Sequence, residues 1–151
     1  MRELRVTPIK NGTVIDHIPA GMALKVLKIL GIDEGVPSTV TVAMHVPSKA
    51  MGWKDIVKVE DRELSPREVD KIALIAPRAS VNVIRNYNVA EKHVVRLPDR
   101  AVGILKCGNP NCITNLREPV ETDFFVRAGE PPRAACRYCD RVVEDIPAAI
   151  V

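Results

Sequence analysis

Four cysteines constrain this chain more than any other feature. They are the only four it has, and they fall as two pairs, Cys107-Gly-Asn-Pro-Asn-Cys112 and Cys136-Arg-Tyr-Cys139, with 23 residues between the pairs. A tetrahedral Zn²⁺ needs soft, charged ligands delivered from two tight turns, and thiolates at this spacing supply them. Short pairs separated by room for a few strands read as a zinc ribbon or a pair of zinc knuckles. Protein would fill all four positions, so one structural zinc is expected, closed to substrate. Disulfides are an alternative, but they call for a secreted chain, and no apolar signal core follows Met1-Arg-Glu-Leu-Arg5. A rubredoxin-like iron site uses the same ligands, but typically with two intervening residues where the first pair here has four. Unrelated buried thiols would not cluster in this way. Zinc is the reading, and folding of the last third should depend on it.

A chain of 151 residues holds one domain or two small ones. Aromatic residues make up only 3 % of it, so the core must be built from Val, Ile, Leu and Ala. No apolar run is long enough to cross a bilayer, and a cytoplasmic location, where thiols stay reduced, is expected without membrane association. Residues 1–100 carry 16 Lys and Arg against 12 Asp and Glu, whereas residues 101–151 carry 6 against 7. A zinc module that held nucleic acid by its phosphates would be expected to be basic, and this one is not.

Before the cysteines, β-branched and apolar patterns alternate with helical periods. Residues 4–9 suggest a short extended arm and Thr13–Ile18 a strand. A helix at about 20–30 follows, with Met22, Ala23, Val26, Leu27 and Leu30 on one face and Gly31 as its stop. Residues 38–46 alternate strictly, placing Val40, Val42, Met44 and Val46 on one face. The strand Lys54–Glu60 puts Asp55, Val57 and Val59 on one side and Lys54, Ile56, Lys58 and Glu60 on the other. Ser65-Pro66-Arg67-Glu68 is a capping box that opens a helix ending before Pro77. A strand at 79–84, a turn or bulge at 86–88 and an extended stretch to Leu97 complete this part.

The order β-α-β-β-α-β is that of an α+β ferredoxin-like sandwich, here followed by a small β-rich, zinc-ribbon-like domain. The boundary falls at Leu97–Arg100, giving domains at 1–98 and 99–151. In the second, a strand at 120–127, a turn at 128–132, a return through Cys136 and a last short strand at Val142-Val143 are expected.

No nucleophile elbow, P-loop, HExxH or GxGxxG segment occurs, and none of His17, His45 and His93 has a partnered nucleophile in sequence. A binding site is more credible than a catalytic one. Lys54, Lys58 and Lys92 lie on or beside the sheet, and Asp16-His17 ends a strand. Lysine charges and imidazolium hold phosphates, and a carboxylate takes ribose hydroxyls. In a regular strand, however, Asp16 and His17 face opposite ways, so serving one ligand requires a bulge or the strand's end.

Several segments together resemble the regulatory chains of aspartate carbamoyltransferase: Gly12-Thr-Val-Ile-Asp-His-Ile-Pro-Ala20, Pro47–Glu60, Leu74–Asn82, Ile84–Val89 and the two cysteine pairs. The resemblance covers nearly the whole chain in order. It implies a non-catalytic subunit whose first domain binds CTP and ATP as allosteric effectors. It also implies a zinc domain that docks on the catalytic chain, and regulatory dimers that bridge catalytic trimers in a c6r6 assembly. By position, Asp16 and Lys58 match residues near ribose and base, and His17 and Lys92 match phosphate contacts. Ile9, Val14, Tyr87 and Val89 match the base pocket, and Lys54 a neighbouring basic residue. Thr7 and Pro8 stand where a Glu-Ala pair is familiar, and Glu91 sits beside Lys92. The runner-up is a zinc-ribbon nucleic-acid-binding protein, but its sheet would lack the exposed aromatic pairs that stack bases.

Overall fold

The computed structural model describes residues 8–32, 37–117 and 120–151. Most of the arm expected at 4–9, including Thr7, lies outside them. Five antiparallel strands, β1 (Gly12–Pro19), β2 (Val40–Ser48), β3 (Gly52–Glu60), β4 (Ser80–Arg85) and β5 (Asn88–Val94), form one sheet in the order β2-β3-β1-β4-β5. Helices α1 (Ala23–Ile29) and α2 (Pro66–Ile75) connect them in the split βαβ manner. The ferredoxin-like sandwich expected from sequence is therefore present, with β5 added at one edge.

One sheet face carries the core. Thr13, Ile15, Val57, Val59, Val81 and Val83 are buried there, and Val26, Ile72 and Leu74 of the helices share the same core. The capping box forms as read: the Ser65 hydroxyl accepts from the Glu68 N–H, and the Glu68 carboxylate accepts from the Ser65 N–H. Gly12 has φ +148°, and a Cβ there would lie 2.2 Å from the Val59 carbonyl oxygen, so β1 and β3 meet too closely for a side chain. The turn at 86–88 is a two-residue hairpin loop in which Asn86 and Tyr87 both have positive φ.

The strict alternation expected for residues 38–46 does not hold. Val40 and Val42 pair with Val59 and Val57 on the core face, but Val46 pairs with Lys54 on the opposite face. One extra residue between Ala43 and Val46 makes a β-bulge, with His45 at φ +58°, and it reverses the facing of everything after it.

The second part is a three-stranded sheet, β6 (Arg100–Val102), β7 (Asp123–Arg127) and β8 (Arg133–Cys136), in that order. Sequence reading placed a linker where β6 begins, because three residues are too few for a period to show. The last strand expected at Val142-Val143 is only a single bridge from Val142 to Ala135, and the chain goes on to a short helix, α3 (Ile146–Ala149). Asp145 caps that helix by accepting from the Ala148 N–H.

The two parts share one continuous buried cluster, running from Val26 and Ile72 to Leu105, Phe124 and Ile146. Helix α2 adds two polar ties to the second part: the Arg67 guanidinium donates to the Gly103 carbonyl, and Lys71 donates to the Val151 carbonyl. A cleft of about 1160 Å³, lined by Met22, Leu74 and Pro77 on one side and Pro131, Val142 and Ile146 on the other, opens between them.

Candidate effector site and metal centre

The helix-free face of the large sheet gathers most of the charged residues singled out from sequence. Thr41, Lys58, Val14, Asn82 and Lys92 are direct cross-strand neighbours, one from each strand. Neighbours across a ladder share a face, so Lys58 and Lys92 stand on the same side, three strand spacings or about 14 Å apart. Val14 and Asn82 lie half-buried between them. One row along, Asp16 pairs with Ser80, again on this face.

His17 is the residue whose placement the sequence left open. Between Ile15 and Ile18, β1 carries one residue more than β3 does between Val57 and Asp55, which is a second bulge. His17 takes φ +59°, and its ring swings to the side of Asp16. Its Nδ1 lies 3.3 Å from the Ser80 Oγ and 4.0 Å from an Asp16 carboxylate oxygen. The His17 N–H also donates to Asp16 Oδ1 at 2.6 Å. Lys54 completes the group with its Nζ 3.0 Å from the Asp16 carboxylate. An acceptor for hydroxyls, an imidazole and three ammonium groups therefore share one face, a set able to bind a ligand that carries both hydroxyl and anionic groups.

The remaining residues sit toward the other end of the strands. Ile9 is buried against the Gly12 backbone, and the Tyr87 N–H donates to the Lys10 carbonyl at 2.9 Å. Val89 pairs with Ile84, which pairs in turn with Gly12. Tyr87 and Val89 are largely exposed, at 65 % and 59 %, so this end offers apolar surface without a closed pocket. Ser80 and Asn82 also stand on this face, although the sequence reading did not single them out. Their signal was the alternation of 79–84, which puts both on the side of Val14 and Asp16 once the strands are paired.

The four cysteines converge. Their Sγ atoms all lie within 4.8 Å of one another, with Cys107 to Cys139 at 3.5 Å and Cys112 to Cys136 at 3.7 Å. A regular tetrahedron of sulfurs around zinc, with bonds near 2.3 Å, has edges of about 3.8 Å. A disulfide would need about 2.05 Å, so none is present in this arrangement. Burial pushes the Cys107 thiol up to about 12, while the Arg141 backbone N–H draws Cys139 down to about 7. If all four were ionised, thiolates this crowded would repel one another, and a cation bound at the centre would offset that repulsion. The knuckles are braced by neighbours: Thr114 Oγ1 donates to Cys112 Sγ at 3.3 Å, and Asn115 Nδ2 donates to the Cys107 and Asn109 carbonyls at 2.8 and 2.7 Å. Below them, Asp123 is buried and accepts from Arg100 and from Arg137 of the second knuckle, and the Arg100 guanidinium chiefly holds its carboxyl below the usual range.

Comparison with known proteins matches each of the two parts of the chain to a described domain. Residues 4–96 match the family model described as the allosteric domain of the aspartate carbamoyltransferase regulatory chain, and residues 99–147 match its metal-binding domain. The chain is 59 % identical over 142 residues to the aspartate carbamoyltransferase regulatory chain of Methanothermobacter thermautotrophicus, covering 94 % of this chain and 90 % of that one. It is 57 % identical over 146 residues to that of Pyrococcus horikoshii, covering 96 % and 95 %. Against that of Thermoplasma acidophilum the identity is 49 % over 142 residues, covering 94 % of each. The chain belongs to the family of aspartate carbamoyltransferase regulatory chains.

Proposed function

We propose that this chain binds CTP and ATP as allosteric effectors on the helix-free face of its large sheet and passes their effect to a catalytic chain through its metal module. In this reading residues 1–98 are the effector domain and residues 99–151 the docking domain. The observation that carries it is the bulge at Asp16–His17, which puts a carboxylate and an imidazole on the same face as Lys54, Lys58 and Lys92. Asp16 would accept the ribose hydroxyls with Lys58 nearby, and His17 and Lys92 would take phosphate oxygens. Ile9, Val14, Tyr87 and Val89 would border the base. The metal is one structural Zn²⁺ held by Cys107, Cys112, Cys136 and Cys139, as the sulfur spacing and the all-thiolate donor set favour.

A nucleotide shifts the assembly only by its differential affinity for two quaternary states. The route for that shift is the shared core and the α2 ties, Arg67 to Gly103 and Lys71 to Val151. The assembly proposed is c6r6, with regulatory chains paired as dimers. Both sheet edges, β2 and β5, have an open hydrogen-bonding row among the described residues that could serve such pairing. A reducing cytoplasm suits the four thiols. Chemistry belongs to the catalytic partner, and no nucleic-acid or membrane partner is proposed.

Calorimetry on the Lys92→Ala variant tests the effector site. CTP affinity should fall by roughly tenfold or more, the scale of one charge-assisted contact, while assembly with the catalytic chain is kept. Unchanged CTP affinity would remove Lys92 from the site. Co-purification with a catalytic chain, with and without a chelator, tests docking through the metal module.

A further inference from the structure

Both bulges of the large sheet open against the same short piece of β3. On one side β1 carries its extra residue opposite the step from Val57 to Asp55; on the other, β2 carries its extra residue opposite the step from Ile56 to Lys54. Each bulge holds a histidine in the left-handed region, His17 at φ +59° and His45 at φ +58°. Such a conformation is unfavourable for a residue with a Cβ and persists only where the surroundings fix it. Between the two bulges stands Asp55, fully buried, with no cation within ion-pairing distance among the described residues. A buried carboxylate needs several donors to remain in such a place. Asp55 has three, all backbone N–H groups: Gly21 at 2.9 Å, Ala23 at 3.0 Å and His45 at 2.9 Å.

The arrangement is a register lock. Gly21 and Ala23 lie immediately after β1, at the start of α1, whose own N-cap residue, Met22, supplies no side-chain cap. Asp55 provides that cap from across the sheet and pins the chain just beyond the bulge. Upstream, Ile15 is pinned by pairing with both Val57 and Val81. One residue too many lies between the two pins, so the excess must bulge out at Asp16–His17. Without the downstream pin, β1 could slide into regular pairing, and a one-residue shift turns His17 to the opposite face.

We propose that Asp55 is the positioning residue of the effector site: its carboxylate fixes the β1 bulge that sets His17 beside Asp16 on the ligand face. Asp55 does not touch the nucleotide. This rests on the effector reading given above, and the test separates the two.

The full-length, zinc-loaded chain carrying Asp55→Asn is titrated with CTP by calorimetry. An amide cannot accept on both sides, so one of its two faces meets an N–H with another N–H. CTP affinity should fall by roughly tenfold, the scale of losing one charge-assisted contact, with zinc content unchanged. The imidazole resonances of His17 should shift at the same time. In a His17→Ala background the same Asp55→Asn change should have almost no further effect on affinity, because the two act through one contact. Additive losses in that cycle, or unchanged affinity in Asp55→Asn, would overturn the positioning role while leaving the effector reading standing. Failure of the wild-type chain to bind CTP or ATP would overturn both. Should Asp55→Asn not fold, hydrogen exchange on the wild-type chain decides: the Gly21, Ala23 and His45 amides should exchange at least tenfold more slowly than the exposed amides around them, and equal rates would sink the lock.

Discussion

Phe124→Ala is the change that most directly tests whether packing and metal binding in the second module are one event. Phe124 is fully buried and sits in the middle of the small sheet, paired with Ala101 on β6 and with the metal-binding Cys136 on β8. All three side chains of that row are at most 1 % exposed, so nothing can move in cheaply to fill the space. Truncating a buried phenylalanine costs about 3–5 kcal/mol, transfer and cavity terms together. The second part shares its core with the large sheet, and the hypothesis under test is that metal binding still supplies most of the folding free energy of the cysteine-bearing strands. If so, the loss appears in the metal affinity, as roughly 10²- to 10⁴-fold weaker zinc binding. Competition against a chromogenic chelator at pH 7 measures that affinity, and CTP calorimetry on the same sample monitors the large sheet. The expected outcome is a large drop in zinc affinity with CTP binding nearly retained. Zinc affinity within a factor of three of wild type, in a variant shown to be destabilised, would refute the coupling of metal and fold.

Two further outcomes follow from the same geometry. Cys112→Ala should lose the metal and co-purification with the catalytic chain while the large sheet stays folded; normal assembly on gel filtration would rule out the docking role. Asp123→Asn removes the negative charge shared by Arg100 and Arg137 and should weaken zinc binding. Because the Asp123 pKa is lowered on folding, its contribution is complete above the usual carboxylate value of about 4 and fades only as pH falls below it. The deficit should therefore be the same at pH 6 and pH 8, and a deficit confined to one of them would contradict the ion-pair explanation.

Much of the fold was legible because its signals are local. The period of α1, the capping box of α2 and the alternation in β3 each lie within about ten consecutive residues, and each appears where the sequence put it. What escaped is either too short to carry a period, as with β6 and α3, or depends on pairing. The face of Val46 could not be read from its neighbours, since the bulge that flips it exists only against β3. The cap of α1 was invisible for a similar reason: it comes from Asp55, more than thirty residues away in the chain.

The sequence by itself determined that four thiolates would meet, because ligands on two short turns can satisfy a tetrahedral ion almost regardless of what lies between them. It also determined the order of strands and helices, and through that the sandwich. Only the tertiary structure decided that Asp16 and His17 serve one face. Adjacent residues of a regular strand point apart, and no local pattern announces an extra residue. The bulge arises from a mismatch in count between β1 and β3, fixed at both ends by Val57 and by the buried carboxylate of Asp55. Such a mismatch belongs to two strands at once, which is why neither strand's sequence contains it.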